Sequence, residues 1–139
     1  MRYKASYLLS VTRQEMLLVG DTPGHALVLT ETEGEPIEVK PGVAGDFVSR
    51  RSVSVHDRIK KSGTIRGYVH ATFQHGAVYS RFEGKQEGPL VNGNWEVYKA
   101  TGKLSTLRGK GNFETKPGEK RGTFIMEMAG DYIMQLPEA

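Results

Sequence analysis

The stretch that most limits what this chain can become is "GTIRGYVHATFQHGAVYSRFEGK", residues 63–85. Ile65, Val69, Ala71 and Phe73 alternate there with Thr64, Arg66, Tyr68, His70 and Thr72. A period of two marks a strand with unlike faces, because successive side chains leave opposite sides of an extended backbone. "QHG" then makes a short turn into "AVYSRFEGK", so the two runs predict a β-hairpin.

Other segments repeat the pattern. "HALVLTETEGE" is the first convincing strand: Ala26, Val28 and Thr30 oppose Leu27, Leu29 and Glu31. In "FVSRRSVSVHDRIKKSG", Phe47, Val53, Val55 and Ile59 share one parity, and Arg50, Ser52, Ser54, His56 and Arg58 share the other. The polar parity is expected to face water. "GNWEVYKATGK" predicts a strand from Asn94 to about Thr101, and "GTFIMEMAGDYIM" closes the chain with Phe124, Met126 and Met128 on one parity. "EGEPIEVKPGVAGD", with two prolines and three glycines, reads as a surface loop. The best helical candidate, "VTRQEMLLV", is short and β-branched at both ends. The prediction is an all-β protein with at most one short helix. Six to eight strands with short connections avoid exposed edges by closing, so residues 1–139 are expected to form a single antiparallel β-barrel domain of about eight strands. Such a barrel has room for side chains or for one small ligand.

The chain holds 17 glycines in 139 residues, against a usual share of about 7%. They lie between alternating runs, where sheet corners need them. "ATGKLSTLRGKGNFE", residues 100–114, also invites reading as a phosphate loop. That reading fails. Gly102-Lys103 is followed by Leu104, the glycine expected five positions before Gly102 is Val97, and no helix follows. The strand reading stands: Gly102 ends one strand, "LSTLRG" connects, and Gly109 and Gly111 flank the start of the next.

These residues carry a resemblance. Gly63, Thr64, Gly67 and Tyr68 match a "GTxxGY" strand, and Phe82 to Lys85 match a "WEGK"-like one. Gly93, Trp95, Lys99, Thr101, Gly102, Lys103, Leu107, Gly109, Gly111 and Phe113 follow the pattern "GxWxxxKGTGKxxxIKGxGxY". Over roughly residues 60 to 115 the chain resembles bacterial proteins with an allene oxide cyclase barrel-like, calycin-type fold. The matching positions are turn glycines and strand residues, so the resemblance implies a fold. Plant allene oxide cyclases rearrange an unstable fatty-acid epoxide inside the barrel. Their catalytic residues have no counterparts that can be placed on this chain, so the activity does not carry over.

Several polar residues are candidates for chemistry. Tyr68, His70 and Arg66 share one face of their strand. If that face looks inward, they could hold a carboxylate or donate a proton; if outward, they are simply solvated. Asp57 shares the apolar parity of Val53, Val55 and Ile59, so it is either a cavity base or a rim residue. Phe82, Trp95, Phe124, Met126, Met128 and Tyr132 are the expected lining of an internal pocket, since glycines and flexible methionines stand where a solid core would want branched bulk.

Composition narrows the rest. The chain has no cysteine, which excludes disulfides and thiolate chemistry. The four histidines lack metal-binding spacing. Nineteen basic against sixteen acidic residues give a net charge of +3, scattered in short clusters. No nucleic-acid partner is expected from that distribution, no membrane segment is long enough, and a cytoplasmic setting is the default. No cofactor is expected. Assembly into a homo-oligomer stays open. The functional expectation is a barrel that binds a small apolar or amphipathic molecule. The alternatives are a cofactor-free isomerase or cyclase acting inside the barrel, and a solid barrel acting through its surface.

Overall fold

The computed structural model describes residues 2–40 and 42–134. Eight strands follow one another: β1 (Arg2–Leu18), β2 (His25–Val39), β3 (Phe47–Ile59), β4 (Ser62–Phe73), β5 (Gly76–Glu87), β6 (Leu90–Ala100), β7 (Leu107–Pro117) and β8 (Thr123–Met134). Each pairs antiparallel with the next, and β8 returns to β1, so the sheet closes into a barrel without a free edge. One 3₁₀ turn, Gly102–Leu104, is the only helical element among the described residues. The expected all-β antiparallel barrel is the observed fold. Among the described residues, no helix is long and apolar enough to cross a membrane.

Several boundaries differ from expectation. The helical candidate "VTRQEMLLV" falls in β1 as far as Leu18, and β1 pairs with β2 from Ala5 to Leu18. Cross-strand pairing outweighs the weak local preference of a short segment. The first half of the expected loop, residues 33–39, is strand, since β2 continues to Val39 through Pro36, with a register shift between Ser6, which pairs with Glu38, and Tyr7, which pairs with Pro36. A shift of this kind accommodates a residue that cannot donate to the ladder.

Glycine serves two purposes here. Gly76, Gly88, Gly102 and Gly122 carry positive φ at connections. Gly109, Gly111 and Gly130 instead lie inside β7 and β8, so Gly109 and Gly111 do not flank the strand as expected. A Cβ on Gly130 would stand 2.5 Å from Trp95 Cζ2, and one on Gly109 would stand 2.6 Å from Tyr132 Cδ1. At Gly109 and Gly130 an aromatic ring and a facing backbone carbonyl occupy the space a side chain would need, and at Gly111 the Ala129 backbone does.

One end of the barrel is packed shut. Leu104, 1% exposed, comes from the 3₁₀ turn and joins Leu107, Val97, Ala100 and Val78, with Phe73 and Ala44 against them. Tyr7, Ala5, Leu9 and Met126 form a second cluster with Phe47 and Val39. The outside of β5 and β7 presents Arg81, Glu83, Lys85 and Glu87, and Arg108, Lys110, Glu114 and Lys116, all exposed.

Candidate functional site in the barrel interior

Strand β3 is turned inside out. Ser52 and Ser54 are buried, whereas Val53 is 41% exposed and Ile59 46% exposed. The expectation that the polar parity of this strand faces water is therefore corrected. The cause lies in the pairing: the β3–β4 register shifts between Phe47 and Ser49. The shift changes parity, so Phe47 packs on Tyr7 and Phe73 while Arg50 still points inward three residues later. Beyond it the polar residues Arg50, Ser52, Ser54, His56 and Arg58 all line the interior.

That interior is a cavity of about 210 Å³. Its two walls differ. Phe82, Trp95, Phe113, Phe124, Met126 and Met128 provide an aromatic and thioether wall from β5 to β8. Thr30, Thr32 and the inward face of β3 provide hydroxyls, an imidazole and two arginines. Among the described residues, no aspartate or glutamate lines the cavity. The lining reaches Arg58, Gln86 and the exposed Pro89 at the end opposite the packed clusters, so the cavity opens there.

Arg50 is the least expected group inside. Part of its side chain faces the cavity, while Nη1 is shut off from solvent and has no hydrogen-bond partner. None of the ion pairs among the described residues includes it. Its guanidinium carbon lies 5.2 Å from the centre of the Tyr7 ring, a cation–π arrangement. Gly34 opposite makes room for it: a Cβ there would meet Arg50 Cδ at 3.1 Å and Leu9 Cδ2 at 3.3 Å. Burial pushes the guanidinium pKa down to about 10, so it stays charged at neutral pH.

Three tyrosines surround this cation. The Tyr3 and Tyr7 hydroxyls are 3.4 Å apart, and the Tyr3 ring meets Tyr132 edge-on at 4.8 Å. Tyr132 also packs on Trp95 at 5.4 Å, and Trp95 Nε1 donates to the Asn112 carbonyl at 3.0 Å. Burial raises the pKa of all three phenols, so they remain protonated and keep an O–H to donate.

The other polar groups of the lining are only partly satisfied. Thr32 and Ser52 hydroxyls bond to each other. His56 Nε2 and Gln86 Oε1 are buried without partners, and burial, reinforced by Arg58, pushes the His56 pKa down. Buried polar atoms are ordinarily paired. The residues that carry these three unpartnered atoms, Arg50, His56 and Gln86, all line the one cavity.

Of the residues singled out from sequence, Phe82, Trp95, Phe124, Met126, Met128 and Tyr132 line the cavity. Tyr68, His70, Arg66 and Asp57 do not. Tyr68 is 59% exposed and lies edge-on to Tyr98 at 5.9 Å; His70 stacks on Tyr79 at 4.5 Å on the outer surface. Arg66 shares their outward face. The expectation that Tyr68 or His70 reaches the pocket is corrected: in β4 the apolar parity of Ile65, Val69, Ala71 and Phe73 takes the interior. Asp57 lies outside at the open rim, where its Oδ1 is 2.6 Å from His25 Nε2; Asp21 Oδ1 is 2.6 Å from His25 Nδ1. This clamp joins the start of β2 to the end of β3, and the two carboxylates, Asp21 first, raise the His25 pKa.

Sequence reasoning missed Arg50, His56, Tyr3 and Tyr7. The two tyrosines fall in a segment not recognised as strand. Arg50 and His56 were visible as a polar parity but assigned to the wrong side. The chain matches no protein-family model and no curated protein.

Proposed function

We propose that the protein binds a small amphipathic molecule inside its barrel. The observation that carries this reading is the two-sided cavity, apolar and aromatic on one wall and hydrogen-bonding on the other. Pockets for small molecules have this composition: mostly apolar lining with a few converging polar groups. The volume of about 210 Å³ exceeds the ~150 Å³ that accommodates one benzene and falls below the ~300 Å³ of drug-sized sites. It suits a guest on the order of ten heavy atoms.

The test is a thermal-shift and calorimetric screen with amphipathic molecules of about this size, alongside native mass spectrometry of the purified protein. A true guest raises the melting temperature with concentration, as linkage to the folded state requires. If no member of such a screen binds at millimolar concentration and no molecule co-purifies, the barrel acts through its surface instead.

A second reading, a cofactor-free isomerase or cyclase, is favoured by one feature. The buried phenols of Tyr3, Tyr7 and Tyr132 and the imidazole of His56 face the same enclosed space. Protonated phenols can steer developing negative charge, and an imidazole with its pKa lowered can accept a proton. In this reading those four residues carry the chemistry, since Tyr68, His70 and Asp57 lie outside.

A further inference from the structure

We infer that the guest is an organic monoanion, a carboxylate joined to a short apolar body, and that Arg50 with the tyrosines around it holds the carboxylate. The inference rests on the reading of the barrel as a binding protein and adds the charge and orientation of what it binds.

The argument begins with an imbalance. Arg50 and Arg58 both line the cavity, and among the described residues no acidic side chain does. A cation taken out of water costs several kcal/mol unless an opposite charge or a full set of hydrogen bonds replaces the solvent. Arg50 has neither: its Nη1 is buried and unpartnered, and the face of Tyr7 supplies only a cation–π contact at 5.2 Å. A guanidinium presents paired N–H donors at the spacing of carboxylate oxygens, so a carboxylate is the complementary group. The Tyr3 and Tyr7 hydroxyls bond to each other at 3.4 Å, which leaves one O–H of the pair as a further donor.

One charge is the expected number. The second arginine, Arg58, lies toward the open end, eight positions along β3 from Arg50. A dianion at Arg50 would leave one charge uncompensated inside the barrel. The remainder of the guest must be apolar, since the wall it would lie on is Phe82, Trp95, Met126 and Met128. The orientation also follows. Arg50 lies near the packed end, next to Tyr7 and Phe47, so the carboxylate enters first and the apolar body fills the space toward Pro89.

Isothermal titration of the intact protein with sodium octanoate, 1-octanol and sodium acetate tests this. Octanoate should bind about tenfold or more tighter than 1-octanol, the margin of one charge-assisted hydrogen-bonded pair, and acetate should bind weakest. Arg50→Met should abolish the preference for octanoate over octanol, and Arg50→Lys should retain part of it. If octanol and octanoate bind alike, the guest is amphipathic but not anionic: the inference falls and the binding reading survives. Should acetate match octanoate, the site is a plain anion site, and the inference also falls. When none of the three binds, the inference falls, and the wider screen with native mass spectrometry decides the binding reading separately. A measurement on the unaltered protein guards against misfolded variants. The carboxyl carbon of bound [1-¹³C]octanoate should titrate below its value in free solution, because Arg50 favours the anion; a value raised by burial would overturn the assignment.

Discussion

Strands β3 and β8 line the same cavity and treat it in opposite ways. Strand β8 follows the usual rule: Phe124, Met126, Met128 and Tyr132 face inward, while Glu127 and Asp131 meet solvent. Strand β3 reverses it: Arg50, Ser52, Ser54 and His56 face inward, while Val53 and Ile59 meet solvent. A barrel filled by its own side chains has no use for such a strand, since each inward polar group must find a partner or destabilise the fold. On the binding reading proposed above, the difference assigns β8 to the stability of the barrel and β3 to the recognition of a guest.

That division predicts how substitutions on the two walls behave. The largest effect belongs to the apolar wall. Trp95→Ala removes a ring that is 6% exposed and packs on Tyr132, and it should destabilise by about 3–5 kcal/mol in urea unfolding. A loss under 1 kcal/mol would show that this wall is loosely packed and that the contrast with β3 is overstated.

The next effect has the opposite sign. Arg50→Met exchanges a half-buried cation whose Nη1 is unpartnered for an apolar side chain of similar length, so the unliganded protein should become more stable by about 1–2 kcal/mol. Function and stability would then pull in different directions at this residue. A destabilised Arg50→Met variant would instead mark Arg50 as a packing element, and β3 would join β8 in kind.

A smaller loss is expected at the hydroxyl pair. Thr32→Val strands the Ser52 hydroxyl in a buried position and should cost about 1 kcal/mol. The double variant Thr32→Val with Ser52→Ala should recover most of it, because the two hydroxyls then leave together. If the single variant is neutral, Ser52 has found another partner and the polar wall is more adaptable than its geometry implies.

Acid separates the interior of β3 from its rim. His56 has a pKa lowered by burial, so the unfolded chain binds its proton more readily. Its contribution to stability is therefore lost as pH falls below about 6.5. His25, clamped by Asp21 and Asp57, has a raised pKa; its contribution is present below about 6.5 and fades as pH rises through the raised value. Melting temperatures between pH 5.5 and 7.5 should show it. His56→Gln should make the protein relatively more stable at the acidic end, and His25→Gln relatively less. Shifts of the same sign in both variants would place the two histidines in like environments.

The smallest effects should come from the outer face of β4. Tyr68→Ala and His70→Ala lie on exposed ring contacts and should change unfolding free energy by no more than about 0.5 kcal/mol, with octanoate binding unaltered. A lost binding signal in either variant would return these residues to the site.

Much of the architecture could be read from local pattern. The period of two in residues 63–85 and the turn at "QHG" identify β4, β5 and their hairpin, because strand geometry itself imposes that period. The sequence of β8 displays its inward face in Phe124, Met126 and Met128, since its polar and apolar parities agree with burial. Side choice in β3 was not legible. Period two says that a strand has two faces and leaves open which one turns inward, and a register shift at Phe47 changes the parity partway along. Local pattern is set by covalent geometry and solvent preference residue by residue, which is why the chain alone determines a mostly β, glycine-cornered protein. Closure of β8 onto β1 joins residues more than a hundred positions apart. Only that closure gathers Tyr3, Tyr7, Arg50 and Tyr132 from three strands around one buried charge, because contacts between distant segments form only when the whole barrel does.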